Sequence, residues 1–315
     1  MRVLVTGASG FVGNFLIHQE TPDIAYRGAY RSQIEEFSSS HDATFVGDID
    51  GRTDWKESLL NMDAIIHAAG RAHIMNDSSK NPGREFSKVN VEGTINLAKQ
   101  ALKEGIKKFI FISSAKVCGE NSVLGRPFGA SHAINPVGPY AISKSQAEIS
   151  LQKLSSEEGL DLTIIRPALV YGPGVKANFL SIMKWVNKGL PLPFGSINNA
   201  RSFVSIYNLA DLINTCLKDP HSVNQTFLVS DDEDLSTKEL VIRLSNAFNI
   251  QPRLISINPD YLIWFSSLIG KKDVASRLCQ SFHLDISKTK ETLGWKPKMT
   301  LDEGFKKTTL HFNQN

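Results

Sequence analysis

The chain reads as an α/β protein: a doubly wound parallel sheet with a smaller C-terminal substrate-binding domain. Three observations predict this. Short apolar runs alternate with helical patterns through the first half, as helices covering both faces of a parallel sheet require. A glycine loop, T-G-A-S-G-F-V-G, follows the first apolar run directly. No internal repeat or long linker interrupts the 315 residues, and the Ser38–Ser40 run is too short to count as low complexity.

Strands are expected at residues 2–6, 24–30, 43–47, 64–68, 108–113 and 162–166, with a further buried run at 226–229. Helices fill the gaps at 11–19, 87–104 and 139–158. Another opens at Ser236, where S-T-K-E sets a capping hydroxyl ahead of an apolar period. The Pro/Gly-rich stretch 171–174 marks the handover between domains. The dinucleotide-binding domain is expected at 1–170 plus about 203–230, with 203–217 and 226–230 returning to the sheet. The substrate domain takes 171–202 and about 231–315.

Composition is that of a soluble globular protein, 41% hydrophobic and 21% charged, with a mean hydropathy of −0.16. A net charge of +3 with scattered cations gives no footprint for nucleic acid. Cys118, Cys216 and Cys279 stand far apart without metal spacing, which fits a reduced cytoplasmic setting and no metal. The first strand begins at Arg2 and leaves no room for a signal peptide. The most apolar stretch elsewhere, 261–270, is about half of a bilayer span and is expected to be a buried helix or a subdomain contact.

Gly7, Gly10 and Gly13 suit a tight turn, close backbone approach to a pyrophosphate and helix–strand packing, with Phe11 and Val12 opening the helix. The Rossmann-like reading follows from this loop. At the end of the second strand, Arg31 and Ser32 stand where an NAD-selective site carries an acid. A guanidinium pairs with a 2′-phosphate that a carboxylate repels, so NADP(H) is favoured over NAD(H), with Arg27 as a competing arginine. Asp48 and Ile49 follow the third strand at the adenine end. Ala68, Ala69 and Gly70 follow the fourth strand and let backbone pack close to the cofactor.

Tyr140 and Lys144 are four residues apart on an expected helix and share a face. An ammonium beside a phenol favours its phenolate. Ser114, upstream in I-S-S-A-K-V-C-G, supplies a hydroxyl to hold the oxygen that gains or loses the proton. The trio suits interconversion of an alcohol and a ketone.

Together these features resemble the extended short-chain dehydrogenase/reductases that act on nucleotide sugars. The likeness extends to V-N-V-E-G-T around Asn90, R-P-A-L-V-Y-G-P-G from Arg166 and L-D-I-S-K-T-K-E-T-L-G-W near the C-terminus. Narrower matches (H-A-A-G-R-A-H, G-P-G-V-K-A-N-F, P-L-P-F-G-S-I-N-N-A-R-S) resemble 4-keto reductases that form UDP-N-acetyl-D-quinovosamine, often labelled UDP-glucose 4-epimerases.

The resemblance implies a catalytic Ser114, Tyr140 and Lys144, with Tyr140, Lys144, Asn90 and Pro167 also at the cofactor. It implies Asn178 and Arg201 at the diphosphate of a UDP-sugar, Leu192 and Pro193 beside uracil, Arg277 as a second phosphate cation, and a homodimer. Three departures stand out. Cys118 replaces a tyrosine as a packing change, Phe282 falls near a position that limits substituent size, and Ala115 and Lys116 replace the acidic pair of 4,6-dehydratases. Dehydration is therefore excluded. The leading expectation is NADPH reduction of a UDP-4-keto-6-deoxy-N-acetylhexosamine. The alternatives are a UDP-sugar 4-epimerase with tightly held NAD and a non-catalytic NADP-binding sensor.

Overall fold

Apolar residues on alternate sides of each central strand fill two separate cores, because a parallel sheet is covered on both faces. The computed structural model describes residues 1–32, 42–72, 81–268 and 270–314. Ser38–Ser40 and His73 of the H-A-A-G-R-A-H motif lie outside them. The strands are β1 (Arg2–Thr6), β2 (Ala25–Tyr30), β3 (Asp42–Phe45), β4 (Ala64–His67), β5 (Lys108–Ile112), β6 (Asp161–Pro167), β7 (Leu169–Tyr171), β8 (Arg201–Ser205), β9 (Gln225–Val229) and β10 (Asp234–Leu235). Seven of them form one sheet in the order β3-β2-β1-β4-β5-β6-β9. Its pairs are all parallel.

Val3, Val5, Ile66, Ile110 and Ile112 enter one core. Leu4, Ile65, Phe109 and Phe111 enter the other. The strand order reverses between β1 and β4, and a ligand crevice is expected outside the carboxyl ends of strands at such a switch point.

The helices are α1 (Phe11–Ile17), α2 (Lys56–Leu59), α3 (Pro82–Ser87), α4 (Thr94–Lys103), α5 (Gly138–Glu158), α6 (Ala177–Asn187), α7 (Ile206–Lys218), α8 (Thr237–Ala247), α9 (Pro259–Leu268), α10 (Lys272–Cys279), α11 (Ser287–Leu293) and α12 (Leu301–Gln314). Ser236 caps α8 as its sequence predicts, in a capping box with Glu239.

Three expectations are corrected. The single helix at 87–104 starts earlier, at Pro82, and a π-helical turn, Lys88–Gly93, joins α3 to α4. Such turns widen a helix by one residue and occur often at functional sites. The segment 203–217 does not return whole to the large sheet. β9 joins it, but β8 pairs with β7 and β10 in a three-stranded sheet, while α7 packs on the large sheet beside α1. Lastly, the apolar run at 261–270 is no buried helix: α9 has no buried residue. A third core, including Tyr171, Phe179, Phe203, Leu240 and Phe305, supports the C-terminal part.

Candidate active site

The glycine loop leaves β1 at Thr6 and closes at once. Gly7 has φ +69°, and the amide of Gly10, three residues on, donates to the Gly7 carbonyl at 2.8 Å. A Cβ on Gly7 would lie 2.8 Å from the backbone of Ala69, and one on Gly13 would lie 2.2 Å from the Gly7 carbonyl oxygen. Only glycine fits at either position. Gly10 caps α1 without any side-chain partner for the first-turn amides. Among the described residues no side chain caps α1, so the N–H groups of the helix that Phe11 and Val12 open fit a pyrophosphate. Ala68 and Ala69 follow β4 against this loop. Gly70 stands over the next layer, since its Cβ would meet Asn90 Oδ1 at 3.1 Å and Lys144 Nζ at 3.3 Å.

At the adenosine end, Arg31 and Ser32 are exposed after β2. Arg31 Nε is 3.2 Å from Asp48 Oδ1, an ion pair open to solvent on both sides. The carboxylate assigned to adenine is thus paired with the arginine assigned to phosphate. Ile49, beside it, packs into Gly93 of the π turn, where a Cβ would lie 2.7 Å from its Cγ2. Arg27 is removed as a competitor. It donates to Asp42 Oδ1 (2.9 Å) and the Leu60 carbonyl (3.1 Å).

A buried polar chain ties the loop after β4 to the helices. The Ala69 amide donates to Thr6 Oγ1 (3.2 Å), whose hydroxyl meets His67 Nδ1 (2.7 Å). His67 Nε2 meets Thr94 Oγ1 (2.8 Å), and Thr94 donates to the Asn90 carbonyl (2.7 Å). That direction leaves Thr94 accepting, so His67 carries its proton on Nε2. Burial and the Lys144 charge hold the imidazole neutral, pushed down to about 3. The Asn90 amide accepts from the Arg71 amide (2.7 Å) and donates to Ser143 Oγ (2.9 Å). Ser143 in turn donates to the Tyr140 carbonyl (2.8 Å).

Tyr140 and Lys144 lie one turn apart on α5. Lys144 is buried. It donates to the Ile112 carbonyl at 2.8 Å, and its ammonium stands 4.5 Å from the centre of the Phe111 ring. Burial pushes it down to about 8, partly offset by Glu148. Burial raises the Tyr140 phenol, and a hydrogen bond with the Ser114 side chain draws it back. Ser114 also caps the 3-10 turn Ala115–Cys118, accepting from the Lys116 amide at 3.2 Å. Pro167 closes the floor as the last residue of β6, paired with Val229. Cys118 is buried against Arg166, and burial raises its thiol.

The substrate-side residues gather unevenly. Arg201 donates through Nη1 to the Arg277 and Gln280 carbonyls. Burial brings the guanidinium down to about 10. Lys116 Nζ bonds Glu120 Oε1 at 2.8 Å, and Arg277 Nε lies 3.7 Å from the same oxygen. Two cations thus meet one carboxylate, with Arg201 near enough to feel its charge, an arrangement matched to an anion. Phe282 stands under this cluster, with Lys116 Nζ 5.2 Å from its ring centre. Asn178 lies apart and exposed in the first turn of α6, whose cap is Lys176. Leu192 and Pro193 precede Phe194 on a segment that bonds residues 253–255.

Two supports escaped the sequence reading. Asn199 is buried and fixes the end of α10 through the Leu278 and Gln280 carbonyls (3.0 and 2.8 Å). Glu148 pairs with Arg166 behind Lys144. Only for Glu148 did the sequence hold a signal, the same four-residue spacing continued from Tyr140 and Lys144. Among the described residues no group of three or more His, Cys, Asp or Glu gathers as a metal site.

A glycine-lined crevice at the switch point, with a Tyr–Lys pair and a serine at its floor, defines an NAD(P)-dependent enzyme of the extended short-chain dehydrogenase/reductase type. The chain belongs to the NAD dependent epimerase/dehydratase family, whose profile matches residues 3–229. It is 46% identical to a UDP-glucose 4-epimerase of Vibrio cholerae, over 99% of this chain and 95% of that one. The fold matches that of Thermotoga maritima UDP-glucose 4-epimerase with UDP-glucose, at TM-score 0.75 and 25% identity over 100% and 99% of the two chains. It also matches UDP-glucuronic acid 4-epimerase from Bacillus cereus in complex with NAD, at TM-score 0.80 and 19% identity over 100% and 99%.

Proposed function

We propose that the protein is a UDP-sugar 4-epimerase. The observation that carries this is the near full-length identity to a UDP-glucose 4-epimerase, joined to a Ser114–Tyr140–Lys144 site with no acid–base pair after Ser114. This reverses the order expected from the sequence, which placed a 4-keto reductase first.

In this reading a bound nicotinamide dinucleotide supplies reversible hydride acceptance. The Gly7–Gly13 loop and the first turn of α1 hold its pyrophosphate, while Asn90, Pro167 and the Ala68–Gly70 backbone shape the floor. Tyr140 takes the proton from the C4 hydroxyl and later returns it. Ser114 holds the C4 oxygen, and the Lys144 ammonium favours the phenolate. After the first half-reaction the keto sugar turns over within the pocket, so that its other face receives hydride. Arg201 and Arg277 anchor the diphosphate through this rotation, with Lys116 adding charge. Leu192 and Pro193 border uracil, and Asn178 stands at the outer rim. A homodimer belongs to the same reading; Ile142 and Ile149 on α5 are 41% and 54% exposed and offer it an apolar face. The three free thiols suit a reducing cytoplasm.

One observation favours a second reading. Arg31 stands where an NAD site carries an acid, which suits NADPH and a 4-keto reductase such as a quinovosamine-forming enzyme. The test is to offer the protein UDP-glucose and its N-acetyl analogue and follow C4 by NMR. Inversion without net change at the reduced-nicotinamide band supports the epimerase. Stoichiometric NADPH oxidation with a UDP-4-keto sugar, and no inversion, supports the reductase.

A further inference from the structure

Of the apolar residues on α9, Leu262 packs against the third core, but none is buried and none has a place in the reaction. On α9, Tyr261, Trp264, Phe265 and Leu268 are 69%, 63%, 60% and 64% exposed. Their spacing of three, four and seven residues places them on one stripe of the helix. Single exposed apolar side chains are ordinary, but a contiguous patch marks a binding surface. The opposite side of α9 turns Leu262 and Ser266 into a groove of about 310 Å³, shared with Trp185, Leu192, Val274 and Leu278. Val274 and Leu278 stand three residues before and one after Arg277 on α10, so the groove adjoins the substrate side, where Leu192 also lies.

The rim supplies the second observation. Lys271 lines the groove, and Lys184, Lys188, Arg253 and Lys272 are exposed on the segments that form or bond it, against the exposed acids Asp260 and Asp273. The whole chain carries a net charge of only +3, and these seven residues sum to the same figure. Trp and Tyr beside Lys, on a helix too short to span, form the pattern of a helix lying in a bilayer interface. Among the described residues no helix is long and apolar enough to cross one.

We propose that α9, with the basic rim around it, docks the protein on an anionic membrane surface, its aromatic stripe entering the headgroup layer. The stripe itself holds none of the residues assigned to catalysis or substrate, so docking is independent of which C4 reaction the enzyme performs. Cations on the rim provide attraction that falls with salt, and the stripe provides the apolar anchor.

The experiment is co-flotation of the full-length protein with vesicles of phosphatidylglycerol and phosphatidylcholine, beside vesicles of phosphatidylcholine alone. Binding to the anionic vesicles is expected, with a blue shift of tryptophan emission as Trp264 leaves water. The double variant Trp264→Glu/Phe265→Glu should bind at least about tenfold more weakly while keeping native turnover of its sugar substrate. Lys271→Glu/Lys272→Glu should weaken binding in low salt and less in high salt. Failure of the native protein to float with anionic vesicles overturns the proposal, as does unchanged binding by the Trp264/Phe265 variant. A smaller oligomer for that variant by light scattering, without vesicle binding by the native protein, assigns the stripe to a second copy of the chain instead.

Discussion

Glu148 and Arg166 form a buried two-pronged ion pair, with Nε–Oε1 at 3.0 Å and Nη2–Oε2 at 2.5 Å, that locks α5 onto β6. Glu148 lies one turn beyond Lys144 and two beyond Tyr140, so the pair fixes the helix that presents both. Breaking one side of such a pair strands a buried charge and costs about 3–5 kcal/mol. Glu148→Gln should lower unfolding stability by roughly that amount. It should also lower the Lys144 pKa further, because Glu148 supports the ammonium. Glu148→Leu/Arg166→Met, which removes both charges, should be less destabilised in urea unfolding than either single variant.

Lys144 gives opposite pH signatures for rate and stability. Its folded pKa, about 8, lies below the ordinary 10.5. Between those values the unfolded chain holds a proton that the folded chain has released, so this group makes stability rise with pH from about 8 to 10.5. The ammonium that favours the phenolate is lost over the same window, so kcat/KM should fall above pH 8. Lys144→Arg should shift the alkaline limb in its residual activity upward and abolish this lysine's stability increment. Coincident decline of rate and stability above pH 8 would contradict the assignment.

His67 should act in the acid range. Its folded value near 3 lies below the ordinary 6.5, so stability falls as pH drops from about 6.5 towards 3. His67→Leu strands the Thr6 and Thr94 hydroxyls and should cost about 1–3 kcal/mol at pH 7. The stability gap between native protein and variant should narrow at pH 5, because only the native chain carries the histidine's acid sensitivity.

Tyr140→Phe removes only the proton-transfer oxygen. The rate should fall by at least about 100-fold, the scale of positioned acid–base catalysis, with the fold unchanged by circular dichroism. Near-native turnover in this variant would remove Tyr140 from the chemistry.

The glycine loop, the Tyr140–Lys144 spacing and the central strands were legible because each rests on a local rule: a φ only glycine takes, a helical turn, a run buried on both sides. The supports were not, because they join distant segments. Arg166 reaches Glu148 only once β6 lies under α5, and Asn199 meets the α10 carbonyls only across the small sheet. The π turn at Lys88–Gly93 answers to packing of Asn90 and Gly93, which no period in the sequence records. The run at 261–270 misled because apolar composition does not distinguish a core face from an exposed one. Arg31 reads as a phosphate ligand in sequence, yet in the fold it pairs with Asp48.

The most direct test of the central claim follows hydrogen at C4. UDP-glucose deuterated at C4 is incubated with the protein in ordinary water and unlabelled cofactor, and the epimerised product is analysed by mass spectrometry and NMR. Removal and return of the same hydride within one closed site predicts that the product keeps its deuterium at C4. Epimerised product carrying protium at C4, or deuterium appearing in the free cofactor pool, would contradict it.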